Sequence, residues 1–142
     1  VDDDLTGTLF TVNDISGLPV LEASSSGDVY IGKSPQSLYT TAVISATSAS
    51  ATQSLCILNT SSYDSAFFDY TVHSASNARA GSIMAVWSAS VISYTETSTS
   101  DIGNTSPIDF NVIISSSGAS LVSVTDSTSP NTWKVKTIIK AI

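Results

Sequence analysis

The rhythm of this chain is two, not 3.6. Ile108, Phe110, Val112 and Ile114 alternate with Asp109, Asn111, Ile113 and Ser115, and an extended backbone points those two sets to opposite faces. Phe68, Tyr70 and Val72 alternate with Phe67, Asp69, Thr71 and His73, and Trp133, Val135 and Ile139 with Lys134, Lys136 and Lys140. Ile83, Ala85 and Trp87 share one face, Met84 and Val86 the other. That pattern predicts a strand buried on both sides, and Leu55-Cys56-Ile57-Leu58 reads the same way. Helix formers at helical spacing are nearly absent: the chain has two Glu, and β-branched residues recur throughout.

Turn signals separate the runs. Ser115-Ser116-Ser117-Gly118 predicts a hairpin from Ile108–Ile114 into Leu121–Thr125, and Ala75-Ser76-Asn77 divides two further strands. Loops are expected over 101–107 and 127–131, the second stopped by Pro130. Strands at such short spacing predict an all-β fold, an antiparallel β-sandwich of jelly-roll-like type.

The first 32 residues read as three short strands, 9–14, 18–23 and 28–31, joined at Ser16-Gly17 and Ser24-Ser25-Ser26-Gly27. Gly32-Lys33-Ser34-Pro35 then marks a boundary. The expected organisation is a small β module over 1–35 and a sandwich over 36–142. Three short strands bury too little surface to stand alone. The module must pack on the next domain or on other copies of itself.

Charge narrows the function. Only 12% of residues are charged, while 29 Ser and 17 Thr supply neutral polarity. Residues 1–130 hold all 12 acids with only Lys33 and Arg79, a net of −10, whereas residues 131–142 hold Lys134, Lys136 and Lys140 and no acid, a net of +3. Five basic residues against 12 acidic ones argue against nucleic-acid binding. The basic tail could lie against acidic neighbours, in its own chain or another; solvated strand lysines are the plainer reading. No apolar run approaches the roughly 18 residues of a membrane-spanning helix. Abundant apolar residues with low charge argue against disorder. The chain opens on Val1-Asp2-Asp3-Asp4, neither a basic nor an apolar leader, and without Met; a fragment or a processed product is the expectation.

Chemical motifs are sparse. Cys56 is the single cysteine, so no intrachain disulfide or cysteine zinc site is expected, and its apolar neighbours predict a buried, inert thiol. His73 and Asp69 lie about 13 Å apart along an extended strand, and no nucleophile elbow is present. The two glutamates fall in different modules, which does not build a glycosidase pair. Asp2-Asp3-Asp4 lacks the ligand spacing of a calcium loop. No enzyme activity, metal or cofactor is expected. Asn59-Thr60-Ser61 and Asn104-Thr105-Ser106 match the glycosylation pattern, which a Ser/Thr-rich chain produces by chance.

The segments Leu9-Phe10-Thr11-Val12-Asn13-Asp14, Ser16-Gly17-Leu18-Pro19-Val20-Leu21-Glu22 and Asp28-Val29-Tyr30-Ile31-Gly32 resemble a β element of bacteriophage tail-fibre and related virion-fibre proteins. This match covers about a fifth of the chain. More loosely, Tyr39-Thr40-Thr41-Ala42, Phe67-Phe68-Asp69-Tyr70-Thr71-Val72, Ala78-Arg79-Ala80-Gly81 and Trp133-Lys134-Val135-Lys136-Thr137-Ile138-Ile139 resemble β-rich domains of virus structural proteins. The resemblance implies a homotrimer with a short shaft-like module before a head domain. It implies a virion-borne, extracellular, non-enzymatic fragment that meets other virion proteins and adheres to a host-cell receptor, often a glycan. The catalytic signature of the self-cleaving chaperone in some members is missing here. Sugars stack their apolar faces on loop aromatics, which makes Tyr63, with Asp64 beside it to accept hydroxyls, the first candidate, and Tyr94 the second. Two alternatives stay open: a virion decoration protein without a ligand, and a monomeric carbohydrate-binding module of a secreted enzyme.

Overall fold

The computed structural model describes residues 6–44, 49–129 and 132–142. Asp2, Asp3 and Asp4, and Pro130 and Asn131 of the expected loop, lie outside them. The described chain is all-β. Its strands are β1 (Thr8–Asn13), β2 (Pro19–Ser24), β3 (Val29–Ile31), β4 (Ser37–Ile44), β5 (Thr52–Leu58), β6 (Ser65–Ser74), β7 (Asn77–Ser88), β8 (Val91–Ser98), β9 (Ile108–Ser115), β10 (Gly118–Thr125) and β11 (Lys134–Ala141).

The strands form two sheets, one ordered β1-β2-β3-β4-β11-β6-β7-β8 and a smaller one ordered β5-β10-β9. Every strand pairing is antiparallel. The chain passes to the small sheet after β4, returns after β5, passes again after β8 and returns after β10. β11 therefore sits inside the large sheet, paired with β4 on one side and β6 on the other.

One apolar core fills the space between the sheets. Ala66, Phe68, Tyr70 and Val72 enter it from β6, Ile83, Ala85 and Trp87 from β7, and Val135 and Ile139 from β11. Ile108, Phe110, Val112, Leu121, Leu55 and Leu58 meet them from the small sheet. The predicted alternation in β6, β9 and β11 is thus the alternation of core and exterior. Trp133 is fully buried, and its indole N–H donates to Ser129 Oγ at 2.8 Å, so the largest core side chain leaves no donor unpaired.

Hairpins of two residues join β6 to β7 at Ala75-Ser76, and β7 to β8 at Ala89-Ser90. Ala75 (φ 51°) and Ala89 (φ 52°) take left-handed conformations, at roughly 1–2 kcal/mol each for a residue with a Cβ. The expected hairpin between β9 and β10 turns at Ser116-Ser117.

Two expectations need correction. β7 is not buried on both sides: Met84 and Val86 are about half exposed, at 49% and 55%. Nor is β5: Ile57 is exposed and Cys56 only half-buried. The cause is the same. The two sheets face each other, so β5, like β7, has one side turned to the shared core and one turned away from it, and among the described residues no second layer lies on the outer face of the large sheet. An apolar pattern on both sides of a strand records apolar surface, not what covers it. Burial still pushes the Cys56 thiol pKa up. Its alkylation at pH 8 should be slower than that of a free cysteine, as mass spectrometry over time would read; an equal rate would show an open thiol. With its folded pKa raised, Cys56 adds stability below the thiol's ordinary range that fades as pH rises through it.

Candidate functional site

The uncovered face of the large sheet is built of rows, because antiparallel register sets residues side by side. Tyr39, Lys140, Phe67, Met84 and Thr95 form one row, Thr41, Ile138, Asp69, Ser82 and Thr97 the next, and Val43, Lys136, Thr71 and Ala80 a third. Lys134 stands opposite His73 beyond them. Ile138 and Val43 are 57% and 56% exposed. The face runs on through β3, β2 and β1, where Ile31, Phe10 and Val12 are exposed too. Isolated surface apolars are ordinary, but a contiguous set over one sheet face marks a contact site.

Small side chains in the middle rows leave a groove of about 960 Å³, lined by Thr41, Val43, Asp69, Thr71, Ser82, Thr97, Lys136 and Ile138 among others. Ser82 donates to Asp69 Oδ1 at 2.5 Å, and the Lys140 ammonium stands 4.8 Å from the Phe67 ring centre. Two ion pairs occur among the described residues, Lys33–Asp14 at 3.3 Å and Arg79–Glu96 at 4.0 Å. Neither engages the β11 lysines. The groove mixes threonines with Ala42, Ala80, Val43 and Ile138, and Lys136 and Asp69 are the charged residues of its lining.

Gly81 shapes the sheet beneath it. A Cβ there would come within 2.7 Å of the Tyr70 ring and 2.8 Å of the Thr97 carbonyl oxygen. The missing side chain lets Tyr70 lean across β7 and donate its hydroxyl to Glu96 on β8. Burial and that carboxylate hold the Tyr70 proton far above the usual phenol range. Arg79 completes the group. Its guanidinium lies 5.9 Å from the Tyr70 ring centre and donates to Thr105 Oγ1 at 3.3 Å and to the Ile108 carbonyl at 3.0 Å. The predicted loop over 101–107 is therefore clamped to β7. Asn77 Oδ1 also accepts from Asn104 N at 2.9 Å, and Gly103 (φ 69°) leaves room for it, since a Cβ would sit 2.2 Å from that oxygen.

The candidates read from the sequence sit elsewhere. Tyr63 packs its ring against the core margin, and its carbonyl accepts the Trp87 indole N–H at 2.6 Å. Asp64 has an exposed side chain, while its backbone bonds Ile142 and Trp87. The Tyr63 hydroxyl pKa is raised by burial and by the nearby Tyr30 and Asp28. Tyr30 is raised by burial and by Asp28. The fold thus gathers Tyr63, Tyr30 and Asp28 at one corner, a grouping invisible in the sequence because 33 positions separate Tyr30 from Tyr63. Tyr94 is not in that corner's hydrogen bonding; its hydroxyl donates to Asn111 Oδ1 at 3.0 Å and ties β8 to β9.

His73 and Asp69 both stand exposed on the outer face of β6. Among the described residues no three His, Cys, Asp or Glu side chains converge to hold a metal ion. Asn59 and Asn104 each accept from the backbone and hydroxyl of the serine two positions on, at 2.7–3.1 Å, so both motifs are turn caps. The chain matches no protein-family model, no curated protein and no solved structure. No described helix is long and apolar enough to cross a membrane.

Proposed function

We propose that the chain is a non-enzymatic fibre fragment of a virion, working as a homotrimer in structural display and adhesion to a host-cell receptor. One observation carries the assembled state: the outer face of the large sheet presents Val43, Ile138, Met84 and Val86 to solvent together. Exposed apolar patches of this kind are rare on monomers and common where a partner sits. Rings of identical copies bury such a face when one surface of each copy meets a different surface of the next. Three weak receptor sites held in one particle bind with far greater avidity than one. The corner of Tyr63, Tyr30 and Asp28, with Asp64 alongside, offers rings and carboxylates suited to a glycan; Tyr94 is the second candidate.

Light scattering tests the assembly. The expected mass is three times the 14.7 kDa chain, and Ile138→Asp should return a folded single chain. A wild-type protein that stays single at micromolar concentration would overturn the reading and favour a monomeric carbohydrate-binding module. Glycan-array binding tests the adhesion: Tyr63→Ala should abolish it, while an assembled particle that binds no host cell or glycan would be a decoration protein instead.

A further inference from the structure

We infer that the corner of Tyr30 and Tyr63 selects its glycan by charge: Glu22 and Asp28 admit sugars that carry a protonated amine and turn away sugars that carry an acid. This rests on the adhesion proposed above and gives the ligand class of that same site.

Strand register builds the corner. Glu22 on β2 stands directly opposite Tyr30 on β3, and Asp28 lies two positions before Tyr30, at the entry to β3. Tyr30 pairs in turn with Leu38 on β4, and Leu38 with Ala141 on β11. The next carbonyl, that of Ile142, accepts from Asp64 N and Ser65 N at 2.8 and 3.0 Å. These links carry the core-side face of β2 and β3 round to Tyr63 and Asp64. Tyr30 and Tyr63 both pack against the core, and neither is fully buried, so a ligand can reach them.

The charges there have one sign. Glu22 Oε1 accepts from the Thr8 hydroxyl at 2.6 Å, and Asp28 Oδ2 from the Ser26 hydroxyl at 2.8 Å. Hydroxyl donors orient the two carboxylates without neutralising them. Asp64 adds a third, exposed carboxylate. All five basic side chains stand elsewhere. Lys33 is 3.3 Å from Asp14, in the turn between β1 and β2. Arg79 is held at Glu96 and Thr105. Lys134, Lys136 and Lys140 stand on the outer face of the sheet, opposite to the face of Tyr30. Burial, then Asp28 and then Glu22 hold the Tyr30 proton above its ordinary range, and no cation opposes them. Rings attract a cation through their quadrupoles and carboxylates through their charge. An acidic sugar meets like charges there with no counter-ion, and repulsion of that kind is what sets one ligand apart from another.

Calorimetric titration with three soluble oligomers of matched length tests this: one of glucosamine, its N-acetylated form, and one of glucuronic acid. The glucosamine oligomer is expected to bind about fivefold tighter than the N-acetylated one, and the glucuronic acid oligomer not to bind at the corner. Tyr63→Ala should remove the binding of the first two. The variant Glu22→Gln/Asp28→Asn, checked for folding by circular dichroism, keeps acceptors for Thr8 and Ser26 and should bring those two sugars within about twofold of each other. A preference that survives in that variant would come from the −7 charge of the whole chain and would overturn the inference. Equal wild-type binding of the two sugars, or acid-sugar binding that Tyr63→Ala removes, would overturn it too and leave adhesion at the corner standing. If Tyr63→Ala removed binding to no glycan at all, adhesion at the corner and its charge selection would fall together.

Discussion

Trp133→Ala lowers the unfolding free energy by about 3–5 kcal/mol, the range for emptying a fully buried aromatic site. Three features place this residue at the high end. Trp133 is fully buried. Its indole N–H is bonded to Ser129 Oγ at 2.8 Å, so the alanine variant also leaves a buried hydroxyl without that donor. Trp133 immediately precedes β11, whose two neighbours hold the large sheet together. For a domain of this size the melting temperature should drop by roughly 10–20 °C. Trp133→Phe keeps most of the volume and should lose less than half as much. Calorimetry or urea titration of both variants measures the pair; an alanine variant within 1 kcal/mol of wild type would contradict the packing described.

Arg79→Ala should cost about 2–4 kcal/mol, somewhat below the 3–5 kcal/mol seen when one partner of a buried pair is removed. Two observations set the discount. The Glu96 side chain is 30% exposed, so water shares in its solvation. The Arg79 Nε atom is buried without a hydrogen-bond partner, so removing the side chain also removes an unpaired donor. What remains is a carboxylate that accepts the Tyr70 hydroxyl with no cation near it, and a loop that has lost the bonds Arg79 donates to Thr105 Oγ1 and the Ile108 carbonyl. Hydrogen exchange at 101–107 should therefore accelerate more than exchange in β6. Uniform acceleration would show that Arg79 supports the whole domain and not this clamp. Arg79→Lys should recover little, because a point charge cannot serve both Thr105 and the Ile108 carbonyl.

Much of the fold was legible because half of each strand is dictated by water. Phe68, Tyr70 and Val72, or Val135 and Ile139, stand out by their spacing. Ser116-Ser117 and Ala75-Ser76 stand out as breaks between such runs. β4 and β8 gave no comparable signal. Ser37–Ile44 and Val91–Ser98 are rich in Thr and Ser, and their strand state is set by pairing with β11, β3 and β7. The site was less legible. The groove is assembled from five strands that share no local motif, and the Tyr30–Tyr63 corner joins distant segments. Gly81 carries no signal of its role in the sequence; only the lean of Tyr70 toward Glu96 explains it. The apolar exterior of β7 was visible as Met84 and Val86, but one chain's sequence does not say whether such surface is met by its own core or by a neighbour.

The place of β11 has a consequence for how the protein comes into being. Until residues 134–141 have left the ribosome, β4 and β6 have no common partner, and the large sheet exists as two unjoined halves. Pairing of distant segments is slow, so the nascent polypeptide must wait, with sticky strand edges open to aggregation. Truncation by even a few residues within β11 would remove the seam that both halves share.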